Sequence, residues 1–169
     1  MFDPLDVEEK PKIQTNLPLN TLHGIAGELI VEADLMMQGY WPWRGHYQGA
    51  QTSDLLVIDG GELVRIQVKA VAEGRVEDRT HKGQGVYHRG YQWSLRKGVG
   101  AKDQYNIEDI DVFALVALDI KQVAYVEART LVRRTGLLTT VNMTRERMEE
   151  HKAFPGHVEA KTANAPDEG

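Results

Sequence analysis

Three side chains within a short stretch of the sequence have types and spacing suited to chemistry: Asp54, Gln67 and Lys69. They lie in Asp54-Leu-Leu-Val-Ile-Asp59, Gly60-Gly61 and Glu62-Leu-Val-Arg-Ile-Gln-Val-Lys-Ala70. Two β-rich runs separated by a Gly-Gly pair predict a hairpin with a two-residue turn. With Gly60 and Gly61 as the loop, Asp59 pairs with Glu62. The same register sets Asp54 opposite Gln67, with Cβ atoms roughly 5 Å apart on one face. Lys69 falls on that face two residues further along. The other face presents Leu55, Val57, Val64, Ile66, Val68 and Ala70 without a polar side chain, and must be core. Leu56, Ile58 and Leu63 make the Asp54 face mixed near the turn, so part of it is expected to be covered too. A carboxylate beside an amide oxygen can bind a hard divalent cation such as Mg²⁺. A neighbouring ammonium can orient water and stabilise charge developing on a phosphate. The same side chains would also serve as an Asp–Lys surface pair beside a polar glutamine, which contributes little energy. The hairpin by itself does not choose between these.

The elements that must position this hairpin follow from patterning. The chain has 169 residues and no cysteine, which fits a single domain that needs no disulfide staple. Thiol catalysis and Cys-ligated zinc are excluded with the cysteines. The longest apolar run, Val112 to Leu118, is far too short to span a bilayer, and the acidic start does not resemble a signal peptide. A soluble, cytoplasmic protein is expected, with no membrane partner. Residues 1–18 read as an extended lead-in, 19–158 as the domain and 159–169 as a disordered tail. A first helix is predicted from a cap at Asn20 or Thr21 to about Gln38. Leu22, Ile25, Ala26, Leu29, Ile30, Ala33, Met36 and Met37 form its apolar stripe. Gly24 and Gly27 each cost such a helix roughly 1 kcal/mol, tolerable where another backbone packs close. Tyr40–Arg44 suits an edge strand, because Pro42 cannot donate to a central ladder. Residues 71–103 read as a Gly-rich basic loop with a strand near Tyr91–Leu95. A helical turn at Asn106–Asp109, strands Val112–Leu118 and Val123–Ala128, and a terminal helix Thr144–Lys152 complete an α/β chain.

Charge is unevenly distributed. The net charge is −5, yet residues 65–102 carry 9 basic against 3 acidic side chains, while residues 1–64 carry 3 against 10. A basic middle in an acidic chain suits a localised polyanion-binding face, and equally a solvated loop.

Gly24-x-x-Gly27-Glu28 on the first helix, Ser53-Asp54 opening one strand, and Gln67-Val68-Lys69 in the next together resemble the PD-(D/E)XK nuclease superfamily. The Q-x-K form of the third motif is most similar to the group-I-intron-associated (homing) endonucleases. Asp109-Ile-Asp111-Val-Phe-Ala114 and Val123-Ala-Tyr-Val126 extend the likeness over about Leu22 to Ala128. The resemblance implies a restriction-endonuclease-like core, with the first helix before a mixed sheet that contains an antiparallel hairpin and has flanking helices. It implies a Mg²⁺-dependent DNA endonuclease, with Mn²⁺ able to substitute, acting on double-stranded DNA as a homodimer or larger symmetric oligomer. By the same resemblance Asp54 is the main metal ligand, Gln67 ligates through its side-chain oxygen, Val68 through its carbonyl, and Lys69 orients water. Glu28 is the helix-borne acid; on a helical wheel Glu32 lies nearer the apolar stripe, and spacing does not separate the two. Two departures stand out: Ser53 replaces the proline, and Gln67 replaces an acid, which leaves a weaker metal site. A Holliday-junction or branched-DNA resolvase, and a non-catalytic DNA-binding module of the same fold, therefore remain alternatives.

The basic segment supplies candidate phosphate contacts: Arg75, Arg79, Lys82, Arg89, Arg96 and Lys97. His81 and His88 match no helical metal pair. Trp93 is expected in a strand core, and Trp41 and Trp43 are expected to pack.

Overall fold

The computed structural model describes residues 17–44, 53–81, 84–97, 103–134 and 136–156. Helix α1 spans Leu19–Met37 and is followed by strands β1 (Trp43–Arg44), β2 (Leu55–Asp59) and β3 (Glu62–Val71). Strands β4 (Arg75–His81), β5 (Gln84–Ser94), β6 (Val112–Ala117) and β7 (Gln122–Glu127) come next. Two short strands, β8 (Val132–Arg133) and β9 (Gly136–Leu137), precede β10 (Thr140–Thr144) and helix α2 (Arg145–Glu150). Single 3₁₀ turns at Ile107–Asp109 and Ala128–Leu131 join the strands.

The main sheet has the order β1-β2-β3-β6-β7, antiparallel throughout except where β3 and β6 run parallel. This is the mixed α/β sheet with an antiparallel hairpin that the sequence predicts. Asp59 pairs with Glu62 and Leu55 with Ile66 across the β2–β3 hairpin, the register read from the Gly-Gly turn. Both turn glycines have positive φ, 58° at Gly60 and 89° at Gly61, as the tight loop requires.

Both faces of the sheet are covered. Leu55, Val57, Ile66 and Val68 pack with Val112, Ala114 and Val116 under Val31 and Leu35 of α1. On the reverse face, Phe113, Leu115 and Ala117 of β6 pack with Tyr91, Trp93 and Leu95. Those aromatic residues belong to a second sheet, β10-β5-β4. Strand β6 therefore buries all six side chains, as a strand covered on both sides must. Its alignment with β3 is fixed by Asp111, whose carboxylate accepts from Arg65 Nε at 2.9 Å and backbone N at 2.8 Å. A third bond runs from Nη2 to Oδ1 at 3.0 Å, making the pair bidentate.

The helix buries a different face from the one its apolar spacing indicates. Gly27, Val31 and Leu35 are its buried residues, while Leu29 is 52% and Met37 80% exposed. Ile25 and Met36 also face outward. The reason is close approach. A Cβ placed on Gly27 would lie 2.7 Å from Ala70 Cβ, so α1 can sit on β3 only on its glycine side. Gly24 shows no such contact within 4 Å. The helix begins after Pro18 without a side-chain cap, rather than at Asn20 or Thr21. Trp41 and Trp43 are exposed rather than packed, whereas Trp93 is fully buried. Much of the predicted basic loop is instead the β4–β5 hairpin, paired from Arg75–Gly90 to His81–Gln84. Its first strand, RVEDRTH, has almost no apolar alternation, so its pairing with β5 leaves little trace in patterning. Residues 1–16 and 157–169, with the expected lead-in and tail, lie outside the described residues.

Candidate active site

The candidate site forms where β2 begins. Asp54 lies just before the strand, and its backbone N–H still bonds the Ile66 carbonyl at 2.9 Å. Beyond that bond β3 loses its antiparallel partner. Even-numbered residues of β3 direct their backbone groups toward β2, while Arg65 and Val71 bond toward β6. The N–H of Val68 therefore emerges into a gap, and the Asp54 side chain fills it: Oδ2 accepts from Val68 N at 2.8 Å. Gln67 Nε2 donates to the same oxygen and lies 3.4 Å from the Val68 carbonyl. Asp54, Gln67 and Val68 are thus brought together as the sequence predicts, with Gln67 only 6% exposed. A buried glutamine between Phe113 of β6 and Asp54 argues against a merely solvated sheet face.

Electrostatics at this point are set by burial. Desolvation raises the Asp54 pKa above the usual carboxylate value, opposed by the Val68 N–H, the charge of Lys69 and the Gln67 bond. The same burial lowers the Lys69 pKa, with Asp54 pulling it back up. Lys69 Nζ donates to the Arg96 carbonyl and to the Tyr105 hydroxyl, both at 2.8 Å. Tyr105 is a residue that sequence reasoning missed. It follows the basic segment with no periodicity or motif to mark it, and its place depends on Phe113, against which its ring packs edge-on at 5.8 Å.

Glu28 is carried by α1 on the opposite side of the sheet from Gln67 and Lys69. It pairs with Arg44 of β1 at 3.6 Å, while Glu32 holds the same guanidinium at 2.6 Å. Arg44 stands in register with Leu55, so these ion pairs tie α1 to β1, and the structure does not bring Glu28 together with Gln67 and Lys69. Among the described residues no group of three or more His, Asp or Glu side chains gathers as a metal cluster. A cation beside Asp54 would therefore rely on one carboxylate and neutral oxygens, the Gln67 amide and the Val68 carbonyl. That all-oxygen donor set fits Mg²⁺ chemically.

Of the basic candidates, Arg96 and Lys97 lie beside the site, since the Arg96 carbonyl binds Lys69 and Lys97 Nζ is 5.7 Å from the Tyr105 ring centre. Arg75 is exposed at the start of β4. The side chains of Arg79 and Arg89, and Lys82 altogether, lie outside the described residues, as do the side chains of His81 and His88. No helix among the described residues is long and apolar enough to cross a membrane.

No protein-family model matches the chain, and no curated protein matches it in sequence. Among solved structures, the chain is similar to a bacterial homing endonuclease, with a TM-score of 0.50 at 12% identity. The match covers 75% of this chain and 76% of that one. At that identity the likeness concerns the fold: an N-terminal helix and a mixed sheet arranged as in a homing endonuclease.

Proposed function

We propose that this chain is a metal-dependent DNA endonuclease of the PD-(D/E)XK type, working on double-stranded DNA. The observation that carries the reading is the meeting of Asp54, Gln67, the Val68 carbonyl and Lys69 at the open end of β2, in a fold similar to a homing endonuclease. Asp54, Gln67 and Val68 would hold Mg²⁺, or Mn²⁺ in its place, while Glu28 pairs with Arg44 on the helix side of the sheet. Such an ion supplies Lewis-acid charge to a scissile phosphate. The Gln67 amide donates to Asp54 and would have to turn over to offer its oxygen to such an ion.

The protein's own groups do the rest. Asp54 sets the negative end of the site, and Lys69 presents a fixed ammonium that orients attacking water and balances charge developing on the phosphate. Arg96 and Lys97, adjoining Lys69, and Arg75, Arg79, Lys82 and Arg89 of the basic segment supply phosphate contacts that position the duplex without reading bases. One site per chain cuts one strand, so paired cleavage calls for a homodimer or larger symmetric assembly.

Incubation of the protein with supercoiled plasmid and with synthetic four-way junctions, in Mg²⁺, Mn²⁺ or EDTA, tests the reading. Metal-dependent cutting of plasmid supports it, and cutting confined to junctions identifies a resolvase. DNA binding without cutting under any metal identifies an inactive module, the reading that Gln67 in place of an acid would favour.

A further inference from the structure

We propose that Tyr105 is a positioning residue for Lys69, fixing the ammonium with the Arg96 carbonyl so that one N–H remains to face the substrate phosphate or attacking water. The proposal rests on the nuclease reading above and deepens it. A lysine ammonium has three donors. At Lys69 two are engaged, one by the Arg96 carbonyl and one by the Tyr105 hydroxyl, each at 2.8 Å. Nζ stands 4.8 Å from the centre of the Tyr105 ring. With the hydroxyl oxygen so much nearer, the contact is a hydrogen bond at the oxygen end rather than a seat over the ring face. The two partners come from different segments, 27 and 36 residues along the chain. An isolated bridge between Arg96 and Gln104, and a bond from Lys97 N to the Asp103 carbonyl at 3.1 Å, tie those segments together.

The phenol is suited to this work. Burial, with the Asp54 charge added, raises its pKa to about 12, so at neutral pH it is a neutral hydroxyl that accepts from Lys69. Its ring is anchored against Phe113. A flexible four-carbon side chain is thereby held by a rigid one, and the entropy of orienting the ammonium is lost on folding rather than in the transition state.

Tyr105→Phe keeps the ring and its packing and removes only the acceptor. Single-turnover cleavage should slow by about tenfold, the scale of one hydrogen bond to a charged group, with the DNA Kd unchanged and the thermal midpoint lowered by no more than the few degrees that losing one hydrogen bond entails. A purely structural role would lower the midpoint without dividing rate from binding. The ammonium proton signal of Lys69 by NMR, assigned by its loss in Lys69→Met, gives a readout independent of cleavage. It should be sharp in the wild-type protein and lost to water exchange in Tyr105→Phe. A wild-type cleavage rate in Tyr105→Phe, or an ammonium signal as sharp as before, overturns the proposal. If the wild-type protein cuts no DNA with Mg²⁺ or Mn²⁺, the nuclease reading falls, and the ammonium signal alone decides whether Tyr105 holds Lys69.

Discussion

Replacing Asp54 by asparagine preserves the shape of the site and removes its carboxylate charge, so stability and metal binding should move in opposite directions. The amide oxygen introduced by Asp54→Asn can still accept from Val68 N and Gln67 Nε2, the two bonds that Asp54 Oδ2 accepts now. Burial holds the Asp54 pKa above its ordinary value of 3.8. A carboxyl raised in this way favours folding while protonated, and that contribution is lost as pH rises through its folded-state pKa. The metal-free wild-type protein at neutral pH therefore carries a desolvation cost that Asp54→Asn relieves. The variant should melt at or above the wild-type midpoint at pH 7, and the gap should close in acid, where both side chains are neutral. Metal reverses the order. At Mg²⁺ ten times its dissociation constant, a site binding only the folded state stabilises it by about 1.4 kcal/mol. In a chain of 169 residues this raises Tm by roughly 3–6 °C. Asp54→Asn should lose that increment together with cleavage. Calorimetric melts across pH, with and without Mg²⁺, supply both readouts. An equal Mg²⁺ shift in the two proteins would refute the metal assignment. A metal-free variant less stable than wild type by the same margin at pH 4 and pH 7 would refute the electrostatic reasoning.

Gln67→Glu places a second carboxylate beside Asp54, so titration calorimetry should show tighter Mg²⁺ binding while the metal-free protein melts lower; unchanged affinity would remove Gln67 from the ligand set. Gly27→Ala forces a methyl to within 2.7 Å of Ala70 Cβ, and should cost about 1–3 kcal/mol in denaturant unfolding, against near neutrality for Gly24→Ala. Joint replacement of Arg75, Arg79 and Lys82 by Ala should weaken binding to all DNA sequences about equally. The slope of log affinity on log salt should also become shallower by about 0.9 per lost phosphate contact. A loss confined to one sequence would mean that these side chains read bases.

The local part of this site was legible because a two-residue turn and a two-residue side-chain period leave a hairpin no freedom of register. Once Gly60 and Gly61 were the loop, Asp54 had to face Gln67, with Lys69 on the same face and Ile66 and Val68 on the other. The edge position of Trp43–Arg44 and the strand beginning at Val112 were legible for similarly local reasons. What tertiary structure alone decided is where long-range contact outweighed local pattern. An apolar stripe through Ile25, Leu29 and Met36 would have turned α1 the other way, but close approach to Ala70 is possible only at Gly27. The polar strand RVEDRTH gained its place from the partner β5 rather than from alternation of its own. Lys69 found its acceptors in Arg96 and Tyr105, which enter its surroundings because the second sheet folds over the face that the hairpin offers. Sequence carries the order and spacing of such groups; only the packing of one sheet on another brings them within a hydrogen bond.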